Sequence, residues 1–211
     1  AERLSGDRQR AAKRLKRELE KEIRGLGMPD TVFEVRFSRR DEEKDNPPFF
    51  IAGRKLTERG MDQVEFYFSP NPGEPVKPLA KIASGGELSR LMLALKALVL
   101  TPGVLSTLLF DEVDTGIGGR VAEIVGKKLK QVAALHQVIS VTHLPQIAAM
   151  ADSHYVVRKE VDNGRTFTQV ARLSEADRVS EVARMLGGVK ITERTVRHAE
   201  ELIEARVKSR S

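Results

Sequence analysis

Cysteine is absent from the 211 residues of the chain, which excludes a disulfide framework and any metal site built on thiolates. No apolar run approaches the roughly 20 residues that a membrane-spanning helix needs, and no signal peptide is visible. We therefore expect a cytoplasmic protein with no membrane partner. The content of 40% hydrophobic and 31% charged residues is typical of a globular domain with a core of ordinary size.

A phosphate-binding loop of the pattern G-x-x-x-x-G-K-[ST] is also missing. The nearest approach, Gly126-Lys127-Lys128, has Val121 where the first glycine belongs, and it lies within a predicted helix. The chain by itself therefore has no loop that could surround the phosphates of a nucleotide.

Positive charge is concentrated at the N-terminus. The formal net charge is +6, and residues 1–25 hold nine Lys/Arg and five Asp/Glu, which leaves only +2 for the other 186 residues. Such a segment can attract nucleic acid phosphates, but a Lys/Arg-rich helix face is more often simply solvated.

The same segment has the spacing of an amphipathic helix over residues 2–26. Apolar residues recur every three or four positions among charged ones, and Gly27 and Pro29 end the pattern. Because the pattern is already under way at residue 1, we interpret this segment as part of a longer helix, such as a coiled-coil arm.

The remaining chain reads as a mixture of strands and helices. Alternating apolar residues predict strands at 32–37 and 64–68, and prolines between 70 and 78 exclude regular structure until Ser84. A buried helix is expected at 88–100. Strand, helix and strand follow at 105–110, 118–135 and 137–142, which is an α/β rhythm and implies a largely parallel sheet with flanking helices. Asn163-Gly164 predicts a hairpin turn, and two helices near 178–186 and 192–207 close the chain.

Two adjacent acids, Asp111 and Glu112, end the apolar strand LLF. Ligands of open α/β sheets bind beyond the carboxyl ends of parallel strands. Neighbouring strand residues point to opposite faces, so one acid could hold Mg²⁺ while the other orients a water. A solvated turn after a strand is the alternative.

The segment ASGGELSR contains two glycines, Gly85 and Gly86, at the start of the long apolar helix. Each glycine costs about 1 kcal/mol relative to alanine in a helix, but glycines open backbone N–H groups to an anion such as phosphate. The S-x-x-E spacing of Ser84 and Glu87 also fits a capping box, in which the two side chains satisfy the helix N-terminus.

His143 follows the second strand of the α/β unit and is therefore expected at the same sheet edge as Asp111 and Glu112. A hydrogen bond from this ring to a phosphate or a water does not require the ring to titrate. No metal-ligand spacing connects the four histidines of the chain.

In order, the segments ASGGELSR, LLFDEVDTGIGG and VISVTHLPQIAA resemble the signature motif, the Walker B segment and the switch histidine of ABC-type ATPases. With the longer segments FSPNPGEPVKPLAKIASGGELSR and THLPQIAAMADSHYVVRKE, the chain resembles the RecN family of bacterial DNA-repair ATPases, which are related to structural-maintenance-of-chromosomes (SMC) proteins. The resemblance implies that residues 28–211 are the C-terminal lobe of an ATPase head and that residues 1–27 are the base of a returning coiled-coil arm. The Walker A loop would then lie on an N-terminal lobe of the same protein. It also implies ATP and Mg²⁺ as cofactors, a second head as dimer partner, and DNA bound at the nucleoid during double-strand break repair.

By position, the resemblance makes Asp111 the Mg²⁺-associated acid, Glu112 the general base and His143 the γ-phosphate sensor. It assigns residues 84–87, Ser84, Gly85, Gly86 and Glu87, to the nucleotide of a second head. Three positions depart from the common pattern. Ala83 and Glu87 replace Leu and Gln, and Gly118 stands where many relatives carry an aspartate.

Three functions remain open at this point. The first is an ATPase of the complete protein, in which the isolated chain is inactive because it lacks the P-loop. The second is the nucleotide-binding subunit of an ABC transporter, although the arm-like helix and the two strands upstream of the signature argue against it. The third is a non-enzymatic scaffold that binds DNA through its basic helix.

Overall fold

The computed structural model describes residues 1–38, 50–51, 54–82, 84–99, 105–162, 164–188 and 190–208. The chain divides into two compact units, Ala1–Val99 and Leu100–Ser211. Within the described ranges, no helix combines the length and the apolar character needed to cross a membrane.

The first unit combines two helices with a three-stranded antiparallel sheet. Its elements are α1 (Glu2–Gly25), β1 (Val32–Ser38), β2 (Phe50–Ile51), β3 (Arg54–Lys55), β4 (Gln63–Ser69), β5 (Lys77–Pro78), a 3₁₀ turn (Leu79–Lys81) and α2 (Gly85–Leu98). The strand order is β1-β4-β5, with Phe33 opposite Phe68. The helix α1 packs against β1 and α2, and its Leu19 and Ile23 are fully buried. The apolar face predicted for this helix therefore forms part of the core.

The predicted helix at 2–26 and the predicted strands at 32–37 and 64–68 are confirmed. The prediction that the prolines exclude regular structure before Ser84 is wrong, because Lys77–Pro78 pairs with β4 and a 3₁₀ turn follows. A proline is tolerated in a short strand at the edge of a sheet, where its missing N–H interrupts no further ladder. The helix expected from residue 88 begins earlier, at Gly85, and Leu100 and Ala83 lie outside the described residues.

The second unit begins with an α/β segment and continues into a hairpin and two helices. Its elements are β6 (Thr107–Phe110), α3 (Gly119–Ala133), β7 (Gln137–Ser140), α4 (Pro145–Ala148), β8 (Tyr155–Asp162), β9 (Arg165–Arg172), α5 (Glu175–Gly187) and α6 (Glu193–Lys208). The strands β6 and β7 are parallel and α3 connects them, as predicted. The hairpin of β8 and β9 is confirmed too, although Asn163 of its turn lies outside the described residues.

Parallel pairing is limited to β6 and β7 among the described strands, whereas every other strand pair is antiparallel. The described residues therefore give a mixed α/β chain without support for the largely parallel sheet that was expected. One crossover helix specifies only the pair of strands that it connects. The division into residues 1–27 and 28–211 stays a prediction.

The short helix α4 is held between α3 and α5. A Cβ atom at Gly126 of α3 would come within 3.1 Å of Met150 and 3.3 Å of the Gln146 carbonyl, so the glycine allows α3 and α4 to approach closely. At the other end of α4, the buried Arg178 of α5 donates from Nη2 to the carbonyl oxygens of Ala149, at 2.8 Å, and Ala151, at 2.5 Å. The chain segment after His143 is thereby fixed at both sides.

Candidate functional site

The ends of β6 and β7 lie side by side. Phe110 is the register partner of Ser140, and the N–H of Val141 donates to the Phe110 carbonyl at 3.0 Å. Asp111 and Glu112 follow the first strand directly, and His143 follows the second after a short extension. The structure thus brings these three predicted site residues to one edge of the parallel pair, as the sequence argument expected.

Glu112 has an unusual backbone conformation. Its φ of 57° is the only positive value at a non-glycine residue in the described part of the chain. A left-handed conformation costs an L-residue roughly 1–2 kcal/mol. The N–H of Thr115 donates to the Glu112 carbonyl at 3.0 Å, so the chain turns sharply at this point.

The turn separates exposed acids from a buried one. Asp111 and Glu112 are exposed, whereas Val113 and Asp114 are buried. The prediction of two roles was based on alternation along a strand, and that argument does not apply to Glu112, which lies beyond β6 in left-handed backbone. The exposure of both carboxylates still leaves both able to contact a ligand.

Asp114 connects the two strand ends. Its Oδ2 atom accepts a hydrogen bond from the Thr142 hydroxyl at 2.5 Å and from the His143 backbone N–H at 2.8 Å. The His143 Nδ1 atom lies 3.0 Å from the same oxygen. The carboxylate is 3% exposed, while the imidazole is 72% exposed. The buried acid therefore engages one ring nitrogen and leaves Nε2 for another partner.

Sequence reasoning missed Asp114. The sequence did contain a signal, since a third acid stands in Asp-Glu-Val-Asp directly after the strand. Its role could not be assigned because pairing with Thr142 and His143 joins residues 28 and 29 positions away. Only the parallel register of β6 and β7 brings them together.

The predicted signature segment belongs to the first unit. Ser84 is the N-cap of α2 with extended backbone, and the N–H of Leu88 donates to its carbonyl at 3.1 Å. The Ser84 side chain makes no capping hydrogen bond, so the capping-box interpretation is not supported. Gly85, Gly86 and Glu87 occupy the first helical turn, where N–H groups have no acceptor within the helix.

Exposure differs along this segment. Ser84 and Gly85 are exposed, Glu87 is half-buried and Gly86 is buried. An anion could therefore reach the cap residue and the first glycine, but the argument that both glycines open the helix to a ligand holds only for Gly85.

Asp111 carries the carboxylate that is predicted to hold magnesium at the sheet edge. Among the described residues, no group of three or more His, Asp or Glu side chains could hold a metal ion. Mg²⁺ is commonly bound by one or two carboxylates together with phosphate oxygens and water. The exposed Asp111 fits an ion that arrives with a nucleotide and does not fit an all-protein metal site.

Gly118 lies at the start of α3 and is exposed. Its φ of −163° is ordinary extended backbone, and a Cβ atom there would meet nothing within 4 Å. The position that is an aspartate in many resembling ATPases is thus open to a side chain in this chain as well.

The comparisons with known proteins agree with the sequence motifs. The DNA repair protein RecN of Bacillus subtilis (strain 168) is 44% identical over 195 residues, or 92% of this chain and 34% of that protein. The RecN protein of Halalkalibacterium halodurans is 45% identical over 201 residues, or 95% of this chain and 34% of that protein. This chain spans about a third of the length of the curated relatives that it matches.

No protein-family model matches the chain. Among solved structures, the Smc head domain with a coiled coil and joint from Pyrococcus yayanosii resembles it with a TM-score of 0.48 and 17% identity, over 82% of this chain and 29% of that chain. The identity of more than 40% to several RecN proteins over more than 90% of this chain shows that it is homologous to about a third of a RecN protein.

Proposed function

We propose that this chain is the C-terminal lobe of an SMC-like ATPase head that hydrolyses ATP in complex with a P-loop lobe of the same protein and acts on DNA in double-strand break repair. The observation that carries this proposal is the arrangement at the parallel pair, where two exposed carboxylates and a histidine oriented by Asp114 follow adjacent strand ends. The names of the relatives supply the link to DNA repair.

The exposed apolar face of the parallel strands β6 and β7 supports the presence of a partner lobe. Leu109 and Ile139 are opposite one another in the register and are 68% and 48% exposed, and Val141 is 58% exposed. Parallel sheets are normally covered on both faces. One face of the described pair therefore lacks a cover, and we place the P-loop lobe there.

In the proposed reaction, this chain contributes groups rather than a complete site. Glu112 accepts a proton from the water that attacks the γ-phosphate, and Nε2 of His143 forms a hydrogen bond with the γ-phosphate or that water. Asp111 holds Mg²⁺, which when bound neutralises charge on the phosphates. Strained backbone is common where a functional side chain must be held in place, which is consistent with a base at Glu112.

The signature segment acts on a different nucleotide in this proposal. Ser84 and Gly85 contact the γ-phosphate of ATP held by a second head, so ATP stabilises the dimer and hydrolysis releases it. A ligand can drive such a change only if its binding energy differs between the two states. The bridging phosphate provides that difference, and the nucleoid of the cytoplasm is the place of action.

The test combines the purified chain with a separately produced P-loop lobe and measures ATP hydrolysis. We expect activity from the mixture and not from either part alone. Glu112→Gln is expected to slow hydrolysis by about 10²–10⁴-fold and to leave ATP-bound dimers, and Ser84→Ala is expected to weaken those dimers. Exposed Glu204→Gln, at the far end of the chain, serves as the charge-matched control.

A scaffold without enzymatic activity predicts a different result. In that case the mixture shows no hydrolysis, and Glu112→Gln changes neither nucleotide binding nor assembly. Stimulation of the mixture by DNA would support the repair function over transport.

A further inference from the structure

A stripe of cationic side chains runs along α1. It consists of Arg3, Arg10, Arg14, Arg17, Lys21 and Arg24, interrupted only by Asp7, and all seven side chains are exposed. The spacing alternates between four and three residues once Asp7 is included, which places them on one face of a helix. We name these six cations the basic stripe.

The basic stripe lies opposite the face that holds α1 to its unit. Leu19, Ile23 and Leu26 are fully buried, and the helix is also fixed by Ser5, whose hydroxyl donates to Asp62 at 2.7 Å. Glu20 accepts from the Phe33 N–H at 3.0 Å. A rigid helix with one attached face presents the other face to solvent.

The stripe retains most of its charge. Arg10 pairs with Asp7, and Arg17 lies 3.4 Å from Glu18, but exposed pairs of this kind are worth only about 0–1 kcal/mol. For the other four cations, no ion pair is recorded within the described ranges. The six cations and Asp7 together give this face of the helix a formal net charge of +5, whereas the formal net charge of the whole chain is +6.

The dimensions of the stripe fit a duplex. From Arg3 to Arg24 the helix rises about 32 Å at roughly 1.5 Å per residue, and one turn of B-DNA is about 34–36 Å. We propose that the basic stripe of α1 binds the phosphate backbone of double-stranded DNA without reading its sequence.

Other occupants fit less well. Proteins that bind single strands stack bases on aromatic side chains, and α1 contains no aromatic residue. A helix that lies on an anionic membrane inserts its apolar face, but the apolar face of α1 is buried in the unit. A partner helix of a coiled coil would need an apolar seam, which the charged stripe does not offer. The choice of DNA over duplex RNA rests on the proposed repair function.

The test measures binding of the 211-residue chain to a fluorescein-labelled DNA duplex of roughly 30 base pairs, at several salt concentrations and without nucleotide. The stripe variant carries Arg14→Gln, Arg17→Gln and Lys21→Gln. The control variant carries Lys127→Gln, Arg194→Gln and Arg197→Gln, which removes the same charge from exposed positions of the second unit.

We expect the stripe variant to bind the duplex at least about tenfold more weakly than the parent chain. The slope of log association constant against log salt concentration should also become shallower by about 2–3, because each phosphate contact contributes about 0.9 to that slope. The control variant should change binding less than about twofold. Circular dichroism of each variant verifies that it is folded.

Equal loss in both variants, or no loss in the stripe variant, would overturn the proposal. So would tighter binding to duplex RNA, or to vesicles containing about one quarter phosphatidylserine, than to the DNA. The binding assay contains no ATP, so its result is independent of the hydrolysis assay. If the stripe binds DNA but the mixture of lobes does not hydrolyse ATP, only the proposed ATPase is contradicted. If the mixture hydrolyses ATP but the stripe variant binds DNA normally, only the proposed DNA-binding stripe is contradicted.

Discussion

The buried carboxylate of Asp114 lies 3.0 Å from Nδ1 of the exposed His143, and the same oxygen accepts the backbone N–H of that residue at 2.8 Å. One acid thereby fixes both the main chain and the ring of the predicted sensor. The second-strand loop cannot move relative to the first without losing these bonds.

Asp114→Asn replaces a charged acceptor by the weaker carbonyl of an amide, so it should loosen the hold on the His143 ring. Weakening of these buried bonds is expected to lower the free energy of unfolding by about 1–3 kcal/mol. The ring should also lose its preference for one tautomer, which nitrogen-15 NMR of the imidazole would detect. Glu112→Gln is the charge-matched control, and unchanged ring signals in Asp114→Asn would contradict the assigned role.

Glu112 adopts a left-handed conformation that glycine accepts readily. We expect Glu112→Gly to be more stable than Glu112→Ala by about 1 kcal/mol, as measured by urea denaturation. The order should reverse at the exposed Lys127 within α3, where glycine is worse than alanine by about 1 kcal/mol. If alanine is the better residue at both positions, the turn is not strained.

Gly118 and Gly119 start α3 with different backbone conformations. Gly118 has extended φ and open space, whereas Gly119 has φ of 49°. Gly118→Asp is expected to stabilise the fold by about 0.5–1 kcal/mol, because aspartate is a favourable N-cap and restricts the unfolded chain. Gly119→Asp should destabilise by about 1 kcal/mol. Thermal unfolding of both variants tests these two predictions. A stability change of the same sign in Gly118→Asp and Gly119→Asp would contradict them.

Arg178 is 2% exposed and satisfies carbonyl oxygens at the end of α4. Burial, together with the nearby Arg206 charge, lowers the pKa of Arg178 from its ordinary value. Arg178→Met should still destabilise by about 2–4 kcal/mol, since the carbonyls lose a charged donor. Arg184→Met on the same helix removes only an exposed pair with Glu181 and should cost less than about 1 kcal/mol. Denaturant titrations measure the free energy of unfolding of both variants. An equal loss in the two would contradict the stabilising role of the Arg178 hydrogen bonds.

Burial and the neighbouring Arg178 charge lower the pKa of His154 below its ordinary value. The unfolded chain then binds a proton at a higher pH than the folded chain does. His154 therefore contributes stability above its unfolded pKa of about 6.5, and this contribution is lost as pH falls through its folded pKa. His154→Gln should show a weaker loss of stability between about pH 7 and pH 5 than the parent chain, measured by urea denaturation at each pH. Parallel curves would contradict the prediction.

The local patterns were sufficient to predict most elements. Apolar spacing identified α1, alternation identified β1 and β4, and the strand-helix-strand order identified the parallel pair. These features depend on residues that are close in sequence. Edge pairing at Pro78 was missed because it depends on a distant strand.

For the candidate site, the sequence determined which side chains are available: the acids at 111 and 112, the histidine at 143 and the glycines that begin α2. Tertiary structure alone decided that Asp114 joins two loops, that Glu112 turns left-handed and that Gly86 is buried. The physical reason is that hydrogen bonding and burial depend on what the fold brings near a residue, and a parallel register connects positions about thirty residues apart.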